Sequence, residues 1–439
     1  MKKRVTNGLL TILFSILLIV LGVAVWGNFS KDKDVALVPT ITLAPAPSEI
    51  SIATPTPEPP ATLSPDELFA SEGDNVQGIS LAVAGDIVCH TALNFEAKQD
   101  GDDNYDFTKI FGGASGYLLN ADYAVATLET TFPNTSEYAG YPLFKSPESL
   151  ARNLADLGID LLNTATNHSM DSDLAGLQRT LDILDENRIA HVGTYRNQEE
   201  KNADNGIKVV DVNGISIAFL SFTYSAGEIP ITGSEYAVNV FYKDEATIDY
   251  DKIEADLSAA KALNPDIIAV FMHWGDDFSK KPSSLQVELS DFLFKEGADI
   301  ILGGHTHVAK QLEMRQIINS DGTERTGFIC YSLGNFVSAQ DRDLTNLTAI
   351  LNIIIEKNHT TGASRVKSVG YAPMFMVRLP DDYLTEAGWR YRLWDLHTAI
   401  NSYEAGDNLG VINEELYSDL KIGLENIHAL LGKDMDIYR

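Results

Sequence analysis

The chain has 439 residues, room for one large domain plus additional segments, and a formal net charge of −29 from 33 basic and 62 acidic residues. That balance argues against a non-specific nucleic-acid binder, whose affinity comes from neutralising phosphates, so no nucleic-acid partner is expected. Two cysteines, Cys89 and Cys330, exclude a disulfide-dense scaffold and a cysteine-rich zinc site; spacing does not say whether they pair.

At the N-terminus, Lys2, Lys3 and Arg4 precede an uncharged run from Leu9 to Trp26. Eighteen residues at about 1.5 Å each span roughly 27 Å, close to the hydrocarbon thickness of a bilayer. The basic end predicts a cytoplasmic start and an extracellular remainder. Residues 1–27 are therefore read as an uncleaved signal anchor, the alternative being a signal peptide cleaved near Val25-Trp26-Gly27. Residues 28–77 hold eight of the sixteen prolines among Thr, Ser and Ala, the composition of a disordered, extended stalk.

From residue 78 onward strand-like and helix-like segments alternate, which predicts an α/β domain over 78–439 with a C-terminal cap from about 366. Ile79–Ala84 reads as a strand running into Gly85-Asp86, and Tyr123–Leu128 as one ending at Glu129, with a helix expected over 106–119 between them. Ser146-Pro147-Glu148 has the form of a serine-capped helix start. A strand over 160–165 leads into Thr166-Asn167-His168, followed by a helix over 173–187. Asn213-Gly214 marks a two-residue hairpin. Helices over 246–263 and 283–296 precede strands that deliver His273-Trp274-Gly275 and Gly303-Gly304-His305-Thr306-His307. The two glycines allow a sharp turn without a Cβ penalty. Phe328–Ser332 and Ala349–Ile355 lack intervening helices and predict a second, mixed or antiparallel sheet. A further strand, Tyr371–Leu379, and a helix over 413–431 end the chain.

The strand ends offer Asp86, then Glu129, then Asn167 with His168 and Asp171, then His273, then His305 and His307. In an open α/β sheet the carboxyl ends of parallel strands share one edge, so these side chains are expected to converge. Oxygen and imidazole donors without thiolate suit Mn, Fe or Zn, and the number is enough for two divalent ions. His90 is a possible further ligand, and Asp276 and Asp277 are read as lying outside the ligand set. Trp274 is expected to pack rather than stack on substrate. His191, His359, His397 and His428 have no partners in the pattern and are read as structural or surface residues.

The series Gly85-Asp86, Leu128-Glu129, Asn167-His168-x-x-Asp171, His273-Trp274-Gly275, Gly304-His305-Thr306-His307 and Tyr331-Ser332-Leu333-Gly334-Asn335-Phe336 resembles the poly-γ-glutamate capsule biosynthesis (CapA-type) family, related to the calcineurin-like metallophosphoesterases. The resemblance implies a four-layer α/β/β/α sandwich with a dinuclear site at the sheet edge, outside the cell and tethered to the membrane. It further implies that Asp86 and His307 hold one ion, that Asn167, His273 and His305 hold the other, and that Glu129 bridges. His168 would act as general acid or stabilise developing charge, oriented by Asp171, and a metal-bound hydroxide would be the nucleophile. Two departures stand out: Val88 occupies the place of the first strand's usual histidine, and Glu129 replaces a shorter aspartate. Two functions compete. One is hydrolysis of a phosphoester or related bond (amide cleavage being a variant); the other is a non-catalytic, metal-dependent accessory that binds or exports polymer. Expected partners are an anionic envelope polymer such as poly-γ-glutamate, the membrane, and membrane-bound polymer synthase subunits.

Overall fold

The computed structural model describes residue 69 and residues 75–99, 104–244, 246–319, 322–380 and 388–438, all within the compact unit Thr62–Arg439. The expected anchor, 1–27, and nearly all of the expected stalk lie outside the described residues. Among the described residues no helix is long and apolar enough to cross a membrane.

The first run of elements is β1 (Val76–Ile87), α1 (Thr91–Ala97), α2 (Ser115–Leu119), β2 (Tyr123–Leu128), α3 (Ser149–Asp156), β3 (Leu161–Asn163), α4 (Asp173–Glu186) and β4 (Ala190–Val192). The second is α5 (Gln198–Ala203), β5 (Lys208–Val212), β6 (Ile215–Thr223), α6 (Tyr250–Ala262), β7 (Ile267–His273), α7 (Ser284–Lys295) and β8 (Ile300–Gly304). The chain then forms β9 (Leu312–Ile318), β10 (Glu324–Cys330), β11 (Asn335–Val337), β12 (Leu347–Asn358), β13 (Ser364–Arg378), β14 (Tyr391–Asp395), α8 (Leu396–Glu404) and α9 (Glu414–Leu431). One sheet runs β14-β13-β12-β1-β2-β3-β4, with β11 also on β1, and the other runs β5-β6-β7-β8-β10-β9.

Side-chain alternation along the strands shows how the sheets stack. Leu81, Val83 and Val125 of the first sheet share one core with Ile217, Phe219, Ala269, Phe271, Ile300 and Leu302 of the second. The neighbours Ala82, Ala84, Ala124 and Ala126 point the other way, onto Leu150, Leu154, Leu177 and Leu181 of α3 and α4. On the second sheet Ala218, Leu220, Ile268, Val270 and Ile301 face Ile253, Leu257, Leu289 and Leu293 of α6 and α7. A strand presents successive residues to opposite faces, so two sheets packed face to face leave each outer face to helices. The result is a four-layer α/β/β/α sandwich. The parallel strands β1, β2, β7 and β8 are buried on both faces, which explains their near-continuous hydrophobic runs.

Several local expectations are corrected. The segments read as one second sheet part company: Phe328–Cys330 pairs with β8 in the second sheet, whereas β12 pairs with β1 in the first. The expected helix over 106–119 shrinks to a 3-10 turn, Gly112–Ala114, and the five residues of α2. Gly113 is needed there, because a Cβ would stand 2.4 Å from the Leu393 carbonyl oxygen of β14. Ser146 does not cap α3; its buried hydroxyl meets Thr130 Oγ1 at 2.8 Å, and the N-cap position falls on Glu148 without a side-chain bond. The start of α7 is a full capping box between Ser283 and Gln286. Asn213 and Gly214 both have positive φ (52° and 86°) at the hairpin between β5 and β6, as the Asn-Gly pair requires. Cys89 and Cys330 are buried free thiols, and burial pushes the Cys89 thiol up to about 12.

Glycine placement tests this packing. A Cβ on Gly303 would lie 2.1 Å from the Tyr331 carbonyl oxygen, whereas one on Gly116 meets nothing within 4 Å. Gly303→Ala is expected to destabilise by about 1–3 kcal/mol or more, seen as a lower urea midpoint at unchanged slope. Gly116→Ala is expected to be neutral or to stabilise by about 0.4–1 kcal/mol. Equal midpoints for the two variants would contradict the close approach of β8 to the chain after β10.

Candidate metal centre

The carboxyl ends of parallel strands from both sheets meet at one edge, and the backbone there is unusually close-set. β1 pairs with β12 from Val76 to Val83, then changes neighbour: Asp86 and Ile87 pair with Asn335 and Val337 of β11. The Asp86 N–H donates to the Gly334 carbonyl at 3.0 Å. The Tyr331–Phe336 block thus forms the wall beside Asp86. Asp86 is fully buried, and its Oδ2 accepts the His305 backbone N–H at 2.7 Å. Burial, with the charge of Glu129 second, raises the Asp86 carboxyl well above the usual range.

β2 delivers Glu129, whose backbone N–H donates to Ile87 O at 3.0 Å. Its carboxylate is completely buried. Burial alone would raise its pKa, but the His273, His307 and His168 imidazoles outweigh that and hold it low. After β3, a turn rather than a helix carries Asn167, His168 and Asp171. The His168 Nδ1–Asp171 Oδ2 distance is 2.8 Å, and the same carboxylate accepts the Phe144 N–H. Burial opposes protonation of His168, but the Asp171 hydrogen bond followed by the Glu129 charge raises its pKa.

In the second sheet His273 is the last residue of β7, and β8 ends at Gly304. The turn that follows differs from the expected one: His305 and His307 themselves adopt positive φ (84° and 60°), whereas Gly303 and Gly304 do not. The glycines are required for proximity, since a Cβ on Gly304 would stand 2.5 Å from Asp86 Oδ1. Left-handed backbone at non-glycine residues costs about 1–3 kcal/mol each and persists where the surroundings impose it. His307 Nδ1 lies 2.8 Å from Asn335 Oδ1. The Asn335 amide is fixed in turn by donating to Gln340 Oε1 and the Thr345 carbonyl at 2.9 and 3.1 Å. With its oxygen so placed, Asn335 accepts the Nδ1 proton and leaves His307 Nε2 a lone pair.

Two sets of donors result: Glu129 with His273 and His305, and Asp86 with Glu129 and His307, each with its ligand atoms within 4.8 Å of one another. Asn167 joins the first set, its Oδ1 2.8 Å from His273 Nε2. Glu129 Oε1 also approaches His273 Nε2 to 2.6 Å, yet this contact lacks hydrogen-bond geometry, and both Glu129 oxygens are buried without a hydrogen-bond partner. His273 Nδ1 and His305 Nδ1 are likewise buried and unpartnered. Burial lowers the pKa of His273 and, with the neighbouring His273 ring second, holds the His305 imidazole down to about 2, so His305 presents a neutral ring. Unpaired buried carboxylate beside neutral imidazole is costly in isolation and is the chemistry of a divalent-cation donor set. The residues present fit such an ion.

Above this floor opens a cleft of about 600 Å³, lined among others by Asn167, His168, Tyr224, His305, His307 and Arg342. His90 reaches the cleft but enters neither donor set; its Nδ1 faces Val88 O at 3.2 Å and its ring meets Phe144 edge-on. Asp277 Oδ1 stands 3.4 Å from His305 Nε2 on a half-exposed side chain. Trp274 is buried and donates to Tyr331 O at 3.1 Å, a packing role. Sequence reasoning missed two contributors, Tyr224 and Arg342, whereas Asn335 belongs to the Tyr331–Phe336 block that the sequence already marked. Tyr224, just past the parallel strand β6, packs against His305 with ring centroids 4.6 Å apart. Asn335 orients His307, and Arg342 lies over the Phe278 ring at 4.4 Å. Tyr224 was findable as a sixth strand end; Arg342 carried no sequence signal.

Fold and site together define a layered α/β protein with a carboxylate, amide and imidazole centre at its sheet edge. The chain belongs to the family described as bacterial capsule synthesis protein PGA_cap, whose model matches residues 80–340. It is 28% identical over 285 residues to the PGA biosynthesis protein CapA of Bacillus subtilis (strain 168), covering 64% of this chain and 69% of that protein. It is 27% identical over 293 residues to the capsule biosynthesis protein CapA of Bacillus anthracis, covering 64% and 65%. Similar solved structures include the calcineurin-like phosphoesterase YfkN from Bacillus subtilis, at 15% identity and TM-score 0.33 over 68% of this chain and 90% of that one. Another is described as a novel phosphatase from Mycoplasma pneumoniae, at 14% identity and TM-score 0.38 over 68% and 94%.

The unpartnered Glu129 yields a direct test. Addition of Mn²⁺ or Zn²⁺ is expected to raise the Tm of the metal-stripped protein. Glu129→Gln removes the buried charge, so the stripped variant is expected to melt no lower than the stripped parent while losing most of the metal-dependent increase. Differential scanning calorimetry with and without chelator checks both; an undiminished increase in the variant would rule out Glu129 as a ligand.

Proposed function

We propose that this chain is a membrane-anchored, extracellular protein of capsule or envelope-polymer biosynthesis whose centre holds two divalent ions and hydrolyses a phosphoester or related bond. The observation that carries the reading is the junction of two donor sets at Glu129, whose buried oxygens have no other partner. Asp86 and His307 would hold one ion and Asn167, His273 and His305 the other, with Glu129 between them. When bound, the ions supply Lewis-acid polarisation of the scissile group and activation of water.

The chain's own residues do the rest. His168 lines the cleft, and its Nδ1 is committed to Asp171, so Nε2 is the atom free to carry a proton to a leaving-group oxygen. Asp171, held by the Phe144 N–H, fixes the ring and favours its protonated form. Arg342 is the sole lysine or arginine among the described cleft-lining residues, and its position over Phe278 suits it to meet an anionic group of the substrate. A site that only held polymer would have no use for an imidazole backed by a buried carboxylate. That pair favours hydrolysis over the accessory role.

His168→Ala is expected to lower kcat on a phosphoester panel by about 10²–10⁴ while leaving metal stoichiometry unchanged. Intact turnover would sink the assignment. A metal-loaded protein that cleaves neither phosphoesters nor γ-glutamyl bonds would instead establish the accessory reading. Arg342→Gln should raise KM for anionic substrates about tenfold with kcat little altered, as the loss of one charge-assisted contact predicts. A fall in kcat alone would place Arg342 elsewhere in the mechanism.

A further inference from the structure

A second convergence of ligating side chains lies outside the cleft. His397 sits in the first turn of α8, His428 in the last turn of α9, and Asp436 in the C-terminal segment beyond α9. Three separate elements therefore bring these side chains together. Both His397 Nε2 and His428 Nε2 stand 2.7 Å from the same oxygen, Asp436 Oδ2. The other oxygen, Oδ1, accepts the Tyr438 N–H at 3.1 Å. The three ligand atoms lie within 4.8 Å of one another, the carboxylate side chain is fully buried, and the imidazoles are 16% and 14% exposed, so one side is open to water.

Between an imidazole nitrogen and a carboxylate oxygen at 2.7 Å there must be either a proton or a cation. Here two such gaps converge on one oxygen, so a single ion can take the place of two protons. An ion at about 2.0–2.2 Å from each ligand keeps its donors roughly 3 Å apart, which small ring rotations reach from the present positions. Two imidazoles and one carboxylate, without thiolate, suit a borderline divalent ion. His428 is at the negative end of α9, where a cation is favoured, whereas His397 is at the positive end of α8, so the buried Asp436 carboxylate must supply the balance. Asp395 and Asp436 both oppose ionisation of the Tyr117 hydroxyl, after burial, so two carboxylates bear on this locality.

We propose that His397, His428 and Asp436 form a third cation site, for an ion such as Zn²⁺, that clasps the C-terminal segment to the domain. The segment is already seated for it. Asp436 bridges to Tyr371 of β13, the Tyr371 hydroxyl donates to Gly432 O at 3.0 Å, and Gly370 leaves the space that Ile437 occupies. An ion at Asp436 would lock these contacts and tie α8 to α9. His397 and His428, read from the sequence as structural or surface residues, thus share one buried carboxylate partner.

The test is Zn²⁺ stoichiometry by equilibrium dialysis and elemental analysis on the full chain. Glutamine can still donate to Asp436 but is a poor ligand, so His397→Gln with His428→Gln preserves the hydrogen bonds while removing the site. The double variant is expected to bind about one equivalent less than the parent and to lose part of the Zn²⁺-dependent rise in Tm. In the parent, Zn²⁺ should protect His428 from carbethoxylation. Unchanged stoichiometry in a folded variant would overturn the proposal. If the variant does not fold, carbethoxylation of His428 in the parent, unaffected by saturating Zn²⁺, would overturn it equally.

Discussion

Everything at the sheet edge depends on the burial of Glu129. A carboxylate sealed from water needs a counter-charge or donors, and Glu129 has no lysine or arginine against it, only imidazoles, with His273 Nε2 2.6 Å from its Oε1. Around it are imidazoles and a second buried acid, Asp86, which the same burial drives toward its protonated form. Without a cation such an arrangement costs on the order of several kcal/mol, because buried charge is stabilised only when fully paired. A cation between the two donor sets removes that cost. Stability and ion binding are then one equilibrium rather than two.

The scaffold is built to keep this arrangement from relaxing. Asp86 cannot swing away, since its carboxylate accepts the His305 N–H and is pressed against Gly304. His305 and His307 are held in left-handed backbone conformations that a freer loop would leave. Asn335 ties the two sides together, pairing with Asp86 along β11 while its side chain orients His307 and anchors the loop that carries Arg342. One asparagine thus links a strand, a ligand and a cleft residue. Its role is positional, and no contact to a ligand is needed to explain it.

How much of this could be read from sequence follows from which forces are local. The apolar runs ending in Asp86, Glu129, His273 and His305 were legible because parallel strands buried on both faces leave an unbroken hydrophobic signal and end abruptly. Alternation and turn chemistry likewise marked the Asn213-Gly214 hairpin. The sheet to which Phe328–Cys330 and β12 belong was not legible, since partner choice between two sheets is a tertiary decision made by faces that look alike in sequence. The glycines at 303 and 304 were recognised, but for the wrong physical reason: they are needed for atomic clearance, while the histidines carry the positive φ. Arg342 and the pairing of His397 and His428 with Asp436 depend on long-range placement alone, which spacing along the chain does not encode.

On the proposed reading, the charge of the cleft would change sign when its cations bind. Without ions its floor is acidic, its walls include Asp171, Glu228 and Asp277, and Arg342 is the sole fixed cation among the described lining residues, in a chain whose net charge is −29. An anionic ligand meets repulsion there. The two divalent ions proposed for the centre would add four positive charges at the floor, where the low dielectric makes them count most. Cation and anionic substrate should therefore bind with positive linkage, each strengthening the other by the same factor. On the proposed reading, a strongly acidic protein acting on an anionic polymer would need such a device. It keeps the surface as a whole repulsive and confines attraction to the one place where the reacting group is positioned.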